Sequence, residues 1–188
     1  MGLKDILLNL PEVAAPLEKK LGFKEKLKWT VAILLLFYVL GLVPIYGLAP
    51  TSLAQFQFLS LILAAEFGSL ISLGIGPIVT ASILLQLLNG SGIVKFDLTN
   101  PEGKRLFQGI QKGLALTFVF LEALIYVFTG GLAPAANISP AIIIFQLMLG
   151  GVLIIFMDEV ISKWGFGQGV SLFIAAGVSK EIMVRLLS

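Results

Sequence analysis

Five stretches of this chain, at about 29–47, 68–88, 113–129, 140–157 and 170–187, are apolar over nearly the length a helix needs to cross a bilayer. A crossing takes about 20 residues for a hydrocarbon core of about 30 Å. Blocks such as Trp29–Leu42 and Gly113–Phe128 therefore read as membrane spans. Composition agrees. Of 188 residues, 57% are hydrophobic and 13% charged, with a mean hydropathy of +1.00, whereas a soluble domain carries about 25% charged residues.

There is no Cys and no His. Thiol chemistry, imidazole bases and the usual zinc ligands are thereby removed, leaving no candidate catalytic or metal-binding constellation. The first basic-then-apolar run is broken by Pro11 and Pro16 and has no small-residue cleavage site, unlike a cleavable signal peptide. A net charge of +2 is too small to point to nucleic acid.

Where the charge sits says more. Lys4, Lys19, Lys20, Lys24, Lys26 and Lys28 precede the first span. Lys95, Lys104, Arg105 and Lys112 separate the second from the third, and Lys163 lies between the fourth and fifth. The connections at about 48–67 and 130–139 hold no Lys or Arg. The positive-inside bias puts the N-terminus in the cytoplasm and the C-terminus outside, with Lys180 and Arg185 against the trend. Residues 1–28 become a cytoplasmic segment, in which Leu3, Ile6, Leu7 and Leu10 share one face of a short interfacial helix or belong to a frayed end.

Boundary chemistry sharpens the spans. Ser139-Pro140 places an N-cap before a proline at the first helical position. Thr99-Asn100-Pro101-Glu102 has capping-box spacing, so the third helix starts near Pro101. Run to Thr129, it is about 43 Å long and projects beyond the bilayer.

Residues 52–88 break the pattern of a simple bundle. Glu66 is their only ionisable residue, yet a single helix over that length would extend about 55 Å. The flanking charges demand an odd number of crossings, and three do not fit. One crossing remains, preceded by a short apolar helix over about Phe56–Phe67 that does not span. Gly68, Gly74, Gly76 and Pro77 mark the break. Non-helical backbone at membrane depth must be buried in protein or face water, and interrupted segments mark transport pathways. An ordinary kinked helix with an apolar outer loop fits the same letters.

These residues also carry a likeness. Leu73-Gly74-Ile75-Gly76-Pro77-Ile78-Val79-Thr80-Ala81, followed by Gln86-Leu87-Leu88, resembles the start of the second transmembrane helix of the SecY family of protein-conducting channels. Asp158-Glu159, Ser162-Lys163-Trp164-Gly165 and Gly167-Gln168-Gly169 resemble its fourth-to-fifth connection. Ser171-Leu172-Phe173-Ile174-Ala175-Ala176-Gly177-Val178-Ser179 resembles its fifth helix. Phe23-Lys24-Glu25-Lys26-Leu27-Lys28-Trp29-Thr30 is similar to the archaeal lead into the first.

The resemblance implies an all-α membrane protein: one half of a pseudo-two-fold channel, with transmembrane helices one to five over 29–188 and a re-entrant plug at about 56–67. It maps a constriction ring onto Ile75, Val79, Val170 and Ile174. It maps the plug onto Gln57-Phe58-Leu59-Ser60-Leu61-Ile62-Leu63-Ala64-Ala65-Glu66-Phe67, and a polar cluster at the lateral gate onto Thr80 and Glu122. The implied partners are the half bearing helices six to ten, SecE, the small beta subunit, a ribosome or motor, signal peptides and nascent chains, and membrane lipids. The implied location is the cytoplasmic membrane. No cofactor, catalysis or direct nucleic-acid binding follows, because the driving energy comes from the partner.

Helical spacing gives a second view. Ile75, Val79, Ile83 and Gln86 follow one stripe that turns polar, and Val170, Ile174, Val178, Glu181 and Arg185 follow another that turns charged. Together they describe an apolar waist between wetter mouths, or ordinary core packing with charged helix ends. Glu122, inside an apolar run, needs a partner: a gate contact, or a static hydrogen bond to Gln146. Asp158 and Glu159 point about 100° apart and read as a helix end near Lys163, not as an acid–base pair. Gly165-Phe166-Gly167-Gln168-Gly169 lacks a strand and a P-loop Lys, so it is a turn.

The leading function is passive conduction of polypeptides across the membrane and release of apolar segments sideways into it. The alternative is one repeat of a broken-helix secondary transporter, which would need polar groups near Gly74–Pro77 where Leu73, Ile75, Ile78 and Val79 stand.

Overall fold

The computed structural model describes residues 11–16, 21–49, 68–94, 96–97 and 99–187. They form five helices: α1 (Phe23–Leu42), α2 (Gly76–Gly90), α3 (Pro101–Phe128), α4 (Pro140–Trp164) and α5 (Gly169–Leu187). The plug over 57–67, the helix expected over Phe56–Phe67 and the interfacial helix expected over 1–10 lie outside the described residues.

Each expected span contains a helix, but some limits move. The first begins at Phe23 and ends at Leu42, because Val43–Ala49 is drawn into extended pairing instead. Ile45 N donates to the Gly68 carbonyl at 2.8 Å and Leu70 N to the Val43 carbonyl at 2.9 Å. Beside them, Ala49 N donates to the Ala133 carbonyl and Ala135 N to the Gly47 carbonyl. Both unbasic connections are thus stitched together at one end of the bundle. Gln146 of α4 secures this end by bonding both the N–H and the carbonyl of Tyr46, at 3.0 and 3.1 Å.

The second span is helical only from Gly76. Residues 68–75 form successive turns: Ser72 N donates to the Ser69 carbonyl and Gly74 N to the Ile71 carbonyl, with Gly74 at φ +58°. That sign of φ is cheap only for glycine. Pro77, lacking an N–H, then sits in the first turn of α2 at no hydrogen-bond cost. Ile71, Ser72 and Leu73 are buried, so this non-helical backbone is enclosed by protein as membrane depth requires.

α3 and α4 are individually long and apolar enough to cross a bilayer, over Glu102–Phe128 and Pro140–Trp164. The capping box expected before α3 does not form. Asn100 is the N-cap residue and makes no side-chain cap bond. Thr99 instead turns back, its N–H and hydroxyl both donating to the Asp97 carboxylate, which holds that carboxyl below its ordinary range. Ser139 is the N-cap of α4, also without a side-chain bond; Pro140 sets the start.

α4 is the centre of the bundle, packing on α1, α3 and α5, with α2 laid on α3. Two adjacent glycines let the neighbours in. A Cβ on Gly150 would fall on the Leu70 carbonyl, and one on Gly151 would meet the Val119 side chain of α3 at 2.7 Å. On the far side Phe37 of α1 stacks on Phe173 of α5, with centroids 4.7 Å apart, and the Tyr38 hydroxyl donates to the Ala176 carbonyl.

The opposite end gathers the basic elements. There residues 11–16 run across α3 and α4: Lys112 donates to the Pro11 carbonyl, Lys163 to the Val13 carbonyl and the Trp164 indole N–H to the Ala14 carbonyl. Thr30 of α1 accepts from Phe166 N at 3.1 Å, and Trp29 packs on Trp164.

Candidate functional site

Between α2 and the start of α5, with α3 and α4 behind, lies a cleft of about 560 Å³. Four helical segments line it, and along α3, α4 and the start of α5 the lining passes from apolar to polar. From α2 come Ile78, Val79, Ser82 and Ile83; from α3, Ala115 then Lys112, Gln111 and Gln108. From α4 come Ile155, then Asp158, Glu159, Ser162 and Lys163; from α5 and the turn before it, Val170 then Gln168 and Gly167. The polar members lie toward the basic end, where Glu12 of the N-terminal segment joins the lining. Val79, Ala115 and Ile155 lie farther from that end along their helices, and Val170 stands in the first turn of α5.

Of the four residues mapped onto a constriction, the cleft brings Val79 and Val170 together. Ile174 follows Val170 by one turn and is 42% exposed. Ile75, the N-cap residue of α2, is only 6% exposed and belongs to the core. At the polar end of the α2 stripe, Gln86 is exposed and bonded to Ser82 one turn back, outside the cleft lining.

Glu122 approaches α2 at Gly76, one turn before Thr80. A Cβ on Gly76 would stand 3.4 Å from a Glu122 carboxylate oxygen, ordinary van der Waals contact, so the carboxylate lies against this turn of α2. Thr80 is one turn beyond Gly76 and exposed. The carboxylate also lies by the N-terminal turn of α2, the positive end of that helix. Gln146, the other partner considered for Glu122, is committed to Tyr46.

The neighbouring acids diverge, as their spacing requires. Glu159 takes Lys112 at 2.7 Å and Lys163 at 2.8 Å, while Lys163 also reaches Glu12 at 3.3 Å. Asp158 turns to the start of α5 and accepts the Val170 N–H at 2.8 Å. Gly165–Gly167 is a turn, with Gly167 at φ +70°.

Sequence reasoning did not single out Gln108, Gln111, Ser162 and Gln168 as cleft residues. The three on α3 and α4 are polar positions near the ends of membrane helices. That signal was present, but it does not tell a cleft from a solvated rim.

Comparison with known proteins is consistent with this geometry. The SecY family model matches residues 69–188, and the model of the plug domain of Sec61p matches 35–68, a stretch containing 57–67. The protein translocase subunit SecY of Methanothermobacter thermautotrophicus is 56% identical over 175 residues, covering 93% of this chain and 38% of its own length. Among solved structures, that of a protein conducting channel superposes with a TM-score of 0.85 at 43% identity, covering 98% of this chain and 42% of that one. Sec61 in the canine ribosome–channel complex from the endoplasmic reticulum gives a TM-score of 0.85 at 43% identity, over 98% and 43%. The chain thus spans about two-fifths of the length of these relatives. With the family model covering α2 to α5 and the cleft between them, this chain belongs to the SecY family.

Proposed function

We propose that this chain forms one wall of a protein-conducting channel that passes unfolded polypeptides across the membrane and releases apolar segments sideways into it. The observation that carries the reading is a cleft that is apolar at Val79 and Val170 and polar at Gln108, Ser162, Lys163 and Gln168, drawn from four separate segments. Polar walls keep a vestibule wet, whereas an apolar constriction is entered reluctantly by water and ions. Aliphatic side chains also fit around any passing peptide by dispersion contacts, without selecting a sequence. A transporter repeat would need polar groups free to bind at the break, where Ile71, Leu73, Ile75 and Ile78 are buried and the Ser72 hydroxyl donates to the Ser69 carbonyl.

In this reading Val79, Val170 and Ile174 supply this half of the constriction with Ile75 packed in the core behind them, residues 57–67 are the plug, and Thr80 with Glu122 the gate contact. The basic end faces the cytoplasm of a cell with the channel in its cytoplasmic membrane. Helices six to ten, SecE and the small beta subunit complete the assembly. A ribosome, as in the canine complex, or a motor supplies the energy. The chain itself makes and breaks no bond.

The test is ion conductance of a complete channel during peptide passage, with the plug deleted so that the constriction alone seals. Ser or Asn at Val79, Val170 and Ile174 should raise conductance, and Leu at the same positions should preserve the seal. Equal conductance of the polar and Leu variants would place the constriction elsewhere.

A further inference from the structure

We infer that Asp158 is a positioning residue for the constriction: from α4, its carboxylate holds the first turn of α5 and with it Val170. The inference rests on the channel reading above. The first N–H groups of any helix lack an acceptor within it, and a Ser, Thr, Asp or Asn at the N-cap commonly supplies one. α5 has Gln168 at that place, whose backbone carbonyl accepts from Leu172 N but whose side chain is a poor cap. Asp158, on a different helix, does the work instead by accepting the Val170 N–H at 2.8 Å.

The approach is close. A Cβ on Gly169 would meet the Asp158 Cα at 2.6 Å and its Oδ1 at 2.7 Å, so only glycine lets the two backbones come together. The charge nearby is already partitioned. Glu159 engages both Lys112 and Lys163, leaving the Asp158 carboxylate to the α5 backbone. Asp158 and Val170 line the same cleft as Val79, so the bond fixes one constriction residue against the helix that forms the cleft's back wall.

α1 also holds α5, through Phe37 on Phe173 and Tyr38 on the Ala176 carbonyl, but those contacts lie beyond the first turn, and at Val170 itself the hold is the Asp158 bond. A hydrogen bond to the very residue at the constriction restores that turn after each passage.

Two readouts test this in the complete channel. Nitroxides at Gln86→Cys and Ser171→Cys report the α2–α5 distance without touching the constriction, helped by the absence of native Cys. Asp158→Ala should broaden that distance distribution and raise ion leak during peptide passage toward the level of Val170→Ser. Asp158→Asn, which keeps an acceptor and loses the charge, should match the wild type in both. Gly169→Ala, which forces the α4 and α5 backbones apart with the carboxylate intact, should behave like Asp158→Ala, while wild-type behaviour of Asp158→Asn separates loss of the acceptor from a simple folding defect. An unchanged distribution in Asp158→Ala, or Asp158→Asn behaving like Asp158→Ala, overturns the inference. If Val170→Ser leaves the leak unmoved, the constriction assignment falls, and the distances alone decide whether Asp158 sets the place of α5.

Discussion

Lys112 of α3 and Glu159 of α4 meet at 2.7 Å, with 12% and 16% of their side chains exposed. The pair is shielded enough for its charges to be screened little by solvent or salt. Lys112 also donates to the Pro11 carbonyl and sits 4.8 Å from the Phe156 ring centroid, and Glu159 also holds Lys163. Three segments therefore converge on two side chains.

Removing Glu159 leaves two lysines without their shared partner, whereas removing Lys112 leaves Glu159 paired with Lys163. Glu159→Ala should accordingly destabilise more than Lys112→Ala, by about 1–3 kcal/mol. Thermal unfolding in detergent of both single variants and the double variant gives their coupling. A coupling energy near zero would mean the pair is not a clamp.

The glycine pair of α4 makes a sharper contrast. Gly150→Ala drives a Cβ onto the Leu70 backbone carbonyl, which can yield only by moving the turn before α2. Gly151→Ala presses on the Val119 side chain, which can rotate. Overpacking costs about 1–3 kcal/mol, and Gly150→Ala should lie at or above that range while Gly151→Ala lies at its foot. The order of the two melting temperatures checks this, and a reversed order would contradict the close approach of Leu70.

Sidedness can be read by single-cysteine labelling, since the chain has no Cys. Gly103 is unsuitable because a Cβ there would collide with the Asp97 carbonyl. Glu102→Cys and Ala136→Cys fall on exposed positions at opposite ends of the bundle. An impermeant maleimide should reach the first only from the cytoplasm and the second only from outside. Inverted labelling would reverse the orientation drawn from the lysines.

Glu122 of α3 lies beside Gly76 in the first turn of α2. Glu122→Leu removes a carboxylate and adds apolar surface, so it should shift the hydrophobicity at which a segment leaves the channel sideways. Graded Leu/Ala test segments in a complete channel measure that threshold. Identical thresholds for wild type and Glu122→Leu would exclude a gating role.

Length and polarity were enough to place five helices, because a bilayer demands apolar runs of set length whatever they pack against. Chain chemistry also placed the break before α2, since Gly74 at φ +58° and Pro77 without an N–H are local properties of those residues. Contacts between distant residues were another matter. The Leu70 carbonyl at Gly150, the Asp158 bond to Val170 and the run of Pro11–Ala14 over α3 and α4 join segments whose separation in sequence carries no mark of the meeting. Ile75 and Val79 illustrate the limit. One apolar stripe contains both, yet the first is buried in the core and the second lines the cleft. Helical period specifies a face, and only the neighbours that arrive on it decide whether that face is packed or open.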